Sequence, residues 1–309
     1  MIEKDEAIVI RSVDFSETSL ILTLFTKRFG KIDALAKGGR RLKSSFESAL
    51  DILSQISVTF LHKKRDVLDL LTESKLIKRF HVTSDNLSGL YGAYYVADLL
   101  NLFTEPDAPN EKLFNIAAQT LVQLEQAHSV NYFVARFEYN IMQENGTQPT
   151  LHICAECGSN IDNKNVDNKN IDSVNNDNAN VDGMNVGDAN VGGLNIAMAG
   201  QPQKVRRTNA RERIPFSFLS GGVICDNCAE KMRNNGQMYK PITPFALDML
   251  QHFANENTTK NNETENVKNI TELNDNTMLE ILNLTNNCIN HQLGTRPRTQ
   301  KWLQKNYPE

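Results

Sequence analysis

Apolar residues recur at short intervals from the start of the chain to Leu76. Short apolar runs alternate there with glycine and charged turns, a pattern that predicts about five strands. Several short strands in so brief a stretch favour a small closed barrel, for which an OB-fold is the natural candidate. The predicted strands are Ala7–Val13, Leu20–Phe25, Lys31–Lys37, Ile52–Leu61 and Val67–Leu71.

The hydrophobic period becomes helical after residue 77. Leucine and tyrosine recur at spacings of three and four from Leu87 to Phe103, and Pro106 then interrupts the pattern. Such stripes are typical of helices that pack on one another, so the stretch predicts a helical bundle whose stripes form its core. The further predicted helices are Leu113–Leu124, Asn131–Asn145, Thr243–Phe253 and Met278–Leu293.

Residues 160–199 form an internal repeat with a period of five. Asparagine stands at every fifth position, and isoleucine or valine follows it in most copies. A pentapeptide β-helix is one interpretation, but eight copies would make about two coils, fewer than stable stacking needs. The repeat also lacks large apolar residues. We therefore interpret 160–199 as a disordered insertion, and the Asn/Thr/Glu-rich stretch 255–277 as a second flexible one.

Four of the five cysteines form two CxxC pairs, Cys154 with Cys157 and Cys225 with Cys228. Four thiolates on two tight turns are the tetrahedral set that zinc prefers, and they leave no open position for catalysis. The stretch between the two pairs is longer than is usual for zinc sites, but removal of the repeat brings it close to the usual range. The pattern thus predicts a structural zinc ribbon, with a redox dithiol or a chance spacing of cysteines as the alternatives.

Charge divides the chain into a basic N-terminal part and an acidic remainder. The formal net charge is −4, yet residues 1–80 carry 15 Lys and Arg against 11 Asp and Glu. A basic run around Gly38 and Gly39 indicates a surface that binds nucleic acid, with a solvated loop as the alternative. Phe25 and Phe29 are candidates for base stacking or for the core. The basic residues that we predict to bind DNA are Lys27, Arg28, Lys31, Lys37, Arg40, Arg41 and Lys43.

Several protein classes have no support in the sequence. The charged N-terminus does not resemble a signal peptide, and no apolar stretch reaches the length of a membrane span. Metalloprotease, hydrolase and nucleotide-binding motifs are missing as well. We therefore expect a protein of the cytoplasm that is not an enzyme and does not bind membranes.

Three segments resemble the RecO family of bacterial recombination mediators. They are Ser16–Thr26, Phe29–Lys31 and the Ala36–Arg41 segment with the sequence AKGGRR. The two cysteine knuckles also match the family pattern. The resemblance covers most of the chain outside the two asparagine-rich insertions.

The resemblance implies an α+β multidomain protein with an OB-fold at 1–78 and a helical domain at 79–150 plus 241–309. A zinc-finger region at 151–240 would contain the repeat. It further implies binding of single- and double-stranded DNA, strand annealing, and loading of RecA together with RecR and the tail of single-stranded-DNA-binding protein (SSB). On this chain the implied DNA contacts are Lys37, Arg40, Arg41 and Lys43, Zn²⁺ would be held by the four paired cysteines, and the protein would be associated with the bacterial nucleoid.

Two other functions stay open from the residues alone. A zinc-ribbon RNA-binding or transcription-associated factor would explain a barrel and a ribbon equally well, and it predicts a preference for RNA. A metal-dependent hydrolase would need an open metal position, which four thiolates do not leave.

Overall fold

The N-terminal strands form a closed barrel. The computed structural model describes residues 1–41, 46, 49–63, 67–126, 129–161, 213–256 and 275–304. The barrel strands follow one another in the spatial order β1-β2-β3-β5-β4, and β1 pairs with β4 to close it. Their bounds are β1 Ile2–Asp14, β2 Leu20–Thr26, β3 Gly30–Ala36, β4 Gln55–Leu61 and β5 Asp69–Lys78.

Alternating burial along the strands produces the barrel interior. In β4 every second residue is buried, as expected for a strand with one face on a core. Neighbouring strands are antiparallel except β3 and β5, which pair in parallel from Ala34–Asp69 to Ala36–Leu71. The buried residues that fill this interior include Val9, Leu22, Leu24, Ile56, Val58 and Phe60.

Three strands have bounds that the apolar pattern did not predict. The first begins at Ile2, five residues before the predicted start at Ala7. The predicted strand from Ile52 begins only at Gln55, because Leu53 has a φ of 71° and cannot continue a ladder. Leu53 nevertheless donates its backbone N–H to the Val9 carbonyl at 2.8 Å. The last strand continues to Lys78, well past the predicted end at Leu71.

Helices follow the barrel. Asparagine side chains begin the first two: Asn86 accepts from the Gly89 N–H at 3.0 Å and Asn110 from the Leu113 N–H at 2.8 Å. None of the helices in the described ranges is long and apolar enough to cross a membrane. The helices that pack together are α1 Leu87–Phe103, α2 Glu111–Glu125, α3 Val130–Glu144, α5 Pro244–Glu256, α6 Asp275–Leu293 and α7 Gln300–Gln304.

A carboxyl group lies inside this helical core. Glu138 of α3 is fully buried and accepts hydrogen bonds from the hydroxyls of Tyr95 and Thr285, on α1 and α6. Removal from water disfavours the charged form and raises the pKa of Glu138 to about 8. The group therefore joins three helices through polar contacts in an otherwise apolar core.

The barrel wall and the helices share an apolar interface. Phe25 of β2 is fully buried and lies 6.2 Å from the Phe114 ring, between centroids. The loop between α1 and α2 also contacts the start of β3: the Asp107 N–H donates to the Lys31 carbonyl at 3.1 Å. The turn between β2 and β3 therefore lies against the helices.

A small sheet and a helix surround the cysteines. The sheet has the strand order β7-β6-β8, with β6 Ile214–Ser217, β7 Gly222–Val223 and β8 Lys240–Ile242. Helix α4, Asp226–Asn234, connects β7 to β8. Apolar periodicity did not predict these short elements. All but the first two residues of the repeat 160–199, and all of the stretch 255–277 except its ends, lie outside the described residues.

Candidate nucleic-acid interface and metal site

The basic residues of the β2–β3 turn are paired with groups of the protein itself. Lys27 forms an ion pair with Glu111 of α2, with its Nζ 3.3 Å from Oε1. Arg28 places its Nε 3.1 Å from Oδ1 of the buried Asp5, and its guanidinium also donates to the Lys4 carbonyl. These side chains therefore hold the turn in place.

Lys31 is half-buried. Its Nζ donates to the Asn101 carbonyl of α1 at 2.7 Å. Burial lowers the pKa of Lys31, although the nearby Glu105 and Asp33 carboxylates act in the opposite direction. The ammonium group is thus part of the contact between barrel and helices.

The turn after β3 is exposed. Lys37, Arg40 and Arg41 all extend into solvent around Gly38, which has a φ of 76°. Arg40 carries an exposed ion pair with Asp14 at 3.1 Å. The fourth residue that the family resemblance implied here, Lys43, lies outside the described residues.

The six predicted contacts within the described residues therefore fall into two groups. Lys27, Arg28 and Lys31 lie at the start of β3, and Lys37, Arg40 and Arg41 lie beyond its end. With seven residues in the strand and a rise of about 3.3 Å per residue, the two groups are roughly 20 Å apart. The structure brings the second group together on an exposed edge, and it keeps the first group in contacts with the protein.

The two predicted aromatic candidates are not exposed rings. Phe25 is fully buried, so the interpretation that it stacks bases is wrong and the core interpretation is confirmed. Phe29 is half-buried and packs edge-on against Phe60, with centroids 5.5 Å apart. Each ring thus packs against another aromatic ring of the protein itself.

The four paired cysteines converge on one point. The Sγ atoms of Cys154, Cys157, Cys225 and Cys228 all lie within 4.8 Å of one another, and those of Cys157 and Cys225 are 3.7 Å apart. Hydrogen bonds from the Ser159 hydroxyl and backbone lower the pKa of Cys157 to about 6. Such a cluster could hold a metal ion.

Backbone contacts bring the two knuckles together although they lie far apart in the chain. Thr150 donates to the Gly221 carbonyl at 2.9 Å and accepts from the Val223 N–H at 3.0 Å. A Cβ on Gly222 would lie 2.4 Å from the Thr150 carbonyl oxygen, so only glycine permits this approach. Gly222, which precedes the second knuckle, therefore allows the backbone of Thr150 to pack closely against it.

Two family models match most of the described chain. The model for the N-terminal part of recombination protein O matches residues 1–80, and the model for its C-terminal part matches residues 84–214. The chain belongs to the RecO family. Its role therefore lies in DNA repair and recombination.

Individual relatives support the same family. The chain is 33% identical to a DNA repair protein RecO from Rhodopirellula baltica over 81% of its own length and 74% of that relative. Its identity to the RecO protein of Halalkalibacterium halodurans is 31%, over 52% of this chain and 62% of the relative. A third RecO protein, from Salinibacter ruber, is 34% identical over 41% of the chain and 49% of the relative.

The sequence did not indicate which basic residues of this RecO-family chain would be paired internally. Asp5 and Glu111, the partners in the β2–β3 turn, lie far from that turn in the sequence, as does Asn101. The register of β1 against β2 is the signal that could have placed Asp5 near Arg28, since Ala7 pairs with Thr26. No local pattern places Asn101 there.

Proposed function

We propose that this chain is a recombination mediator that binds single- and double-stranded DNA through the exposed turn after β3. The observation that carries the proposal is the grouping of Lys37, Arg40 and Arg41 on one barrel edge, all exposed and outside the core contacts. Cations in this arrangement neutralise phosphates and release counterions, so DNA affinity would fall steeply with salt.

We assign the barrel to the OB-fold. Five strands in a closed barrel, with a basic edge formed by loops, are the features that such folds use to bind oligonucleotides. The division into a barrel at 1–78, a helical domain at 79–150 plus 241–309 and a cysteine region at 151–240 is part of the proposal.

Strand annealing and RecA loading follow from the same surface. Two strands whose phosphates are neutralised repel each other less, and their bases stay available for pairing. We propose that the protein anneals complementary strands in this way and works with RecR to load RecA onto DNA coated by SSB. The acidic SSB tail would be a partner, and we propose no catalytic residue.

The ion in the cysteine cluster is proposed to be Zn²⁺. Four thiolates at the zinc–sulfur distance of about 2.3 Å lie about 3.8 Å apart in a tetrahedron, close to the 3.7 Å between Cys157 and Cys225. Zinc would cross-link the two knuckles, and Cys154, Cys157, Cys225 and Cys228 would fill its coordination sphere. This supports a structural role.

Metal content distinguishes the cluster from the remaining cysteine. The C157S variant should bind less than stoichiometric zinc, as measured by elemental analysis of the purified protein. The matched variant is C288A, because Cys288 lies in α6 outside the cluster. Equal zinc content in both variants would contradict the site.

Annealing tests the function as a whole. Complementary oligonucleotides precoated with SSB should anneal faster when the protein is added, and a charge-removing variant, R40A/R41A, should lose most of this acceleration. An unaccelerated reaction with the unmodified protein, or a clear preference for RNA over DNA in binding, would overturn the proposed function.

A further inference from the structure

One aromatic side chain of the barrel is exposed. Phe15 follows β1 and has 59% of its surface in solvent, and it is the only exposed Phe, Tyr or Trp within the part of the chain that the structure describes. Single exposed apolar residues are ordinary on protein surfaces. The ring is therefore informative only through its position and its neighbours.

The loop that carries Phe15 has a fixed backbone. The N–H of Phe15 donates to the Ser19 carbonyl at 3.0 Å, and the Ser16 N–H donates to the same oxygen at 3.3 Å. The Ser16 hydroxyl accepts from the Ser19 N–H at 3.2 Å. These bonds close a tight turn between β1 and β2, so the ring is presented from a defined position.

Arg40 joins this loop to the exposed basic turn. Its backbone N–H donates to the Thr18 carbonyl at 3.1 Å, and its guanidinium contacts the Ser16 carbonyl at 3.4 Å and the Asp14 carboxylate at 3.1 Å. Phe15 is thus on the same edge of the barrel as the cations at 37, 40 and 41. An exposed aromatic ring and exposed cations occur side by side only here among the described residues of the barrel.

We propose that the Phe15 ring stacks on a base of single-stranded DNA whose phosphates lie along the turn Lys37–Arg41, an inference that rests on the proposed DNA-binding function. Proteins that bind single strands combine a cationic path for the backbone with aromatic rings that stack on bases. Bases in a duplex are already stacked, and inserting a ring between them requires unstacking. Phe15 therefore gives the barrel edge a preference for single strands, which the cations alone do not provide.

Binding of three probes to the full-length protein tests the inference. Fluorescence anisotropy is measured with an oligo-dT, an abasic oligonucleotide of the same length and a duplex. The F15A variant should bind oligo-dT roughly 5- to 100-fold more weakly. Its affinity for the abasic strand and for the duplex should equal that of the unmodified protein, and its salt slope should be unchanged because the phenyl group carries no charge.

Two further variants make the result specific. F15W keeps a ring and should retain the oligo-dT affinity. M238A truncates another exposed apolar side chain, one that lies between α4 and β8, and should bind all three probes normally. Circular dichroism should show nearly unchanged melting for F15A, since more than half of the residue is already in solvent.

The outcomes separate the inference from the proposed function. If F15A binds oligo-dT like the unmodified protein, or loses affinity equally for the abasic strand, base stacking is overturned while DNA binding by the basic turn stands. If R40A/R41A binds every probe as well as the unmodified protein does, the proposed interface fails and the stacking site fails with it.

Discussion

The two basic turns at either end of β3 look alike in sequence and differ in the structure. Each contains two or three cations and a glycine in the left-handed region, Gly30 in one and Gly38 in the other. A Cβ on Gly30 would lie 2.3 Å from the Ala108 carbonyl oxygen, whereas one on Gly38 would meet only the flexible Arg41 side chain at 3.5 Å. The first turn is packed against the helices, and the second is open.

The difference shows that density of positive charge does not identify a nucleic-acid surface. A cation that already contacts a carboxylate or a carbonyl contributes to folding, and a phosphate would have to displace that partner. Arg28 is such a residue, since it forms an ion pair with the buried carboxylate of Asp5. On the open turn Arg40 also pairs with a carboxylate, but its partner Asp14 is itself 67% exposed, so a phosphate can replace it at a lower cost than it could replace the buried Asp5.

Exchanging each glycine for alanine should give the largest effect on this comparison. G30A combines a disfavoured positive φ with a collision against backbone, and should lower the free energy of unfolding by about 2–5 kcal/mol. G38A meets only the conformational cost, about 1–2 kcal/mol. Chemical denaturation measures both. Equal losses would mean that the first turn is not packed against the helices as described.

Removing two positive charges from each turn should separate their contributions to DNA binding. R40A/R41A should weaken affinity about 30-fold, because each charged contact contributes about 1 kcal/mol net. The salt slope should fall by roughly 1 for each lost phosphate contact. K27A/R28A removes the same charge.

Anisotropy titrations at several salt concentrations measure both charge variants. K27A/R28A should retain an affinity within about threefold of the unmodified protein, in line with a general reduction in charge. Equal weakening by the two variants would show that net charge, and not the position of the turn, determines binding.

G30A and G38A must be compared at one pH, because Glu138 makes the free energy of unfolding depend on pH. Its pKa is about 8 in the folded protein against 4.5 ordinarily, so between these values the folded state holds a proton that the unfolded state has lost. The contribution of this group to stability is therefore fully present below pH 4.5 and is lost as pH rises through 8. The loss should be about 1 kcal/mol between pH 6 and pH 7.

The E138Q variant tests the source of this slope. It removes the titrating group, so the free energy of unfolding should be nearly the same at pH 6 and pH 7. The difference between G30A and G38A should persist when both are made in the E138Q protein. Denaturation midpoints at the two pH values measure the effect. A slope that survives in E138Q would assign it to another group.

Single arginine variants should give the smallest effect. R28A removes the guanidinium donor to the buried Asp5 carboxylate and leaves the backbone N–H of residue 28 in place, so it should cost roughly 1 kcal/mol of unfolding free energy. R41A lies on the exposed turn and should change stability by less than about 0.5 kcal/mol. Thermal melting compares the two variants. A larger loss of stability in R41A than in R28A would contradict the description of the first turn as packed and the second as open.

Much of the architecture could be predicted from periodicity. Strand alternation indicated the barrel, and the stripe from Leu87 to Phe103 predicted helix α1 with its ends as found. The spacing of the cysteines identified the cluster once the repeat was treated as an insertion. The three short strands and α4 could not be predicted, because elements of two to nine residues carry too little periodic signal.

The sequence by itself determined the longer local elements, the family and the identities of the clustered thiols. These depend on patterns within a few residues or on spacing along the chain. The tertiary structure alone decided which cations contact the buried parts of the protein, because the partners of Arg28 and Lys31 come from β1 and α1. It also placed Phe15 beside Arg40 through contacts between separate loops. Solvent exposure depends on the packing of distant segments, and no local pattern records it.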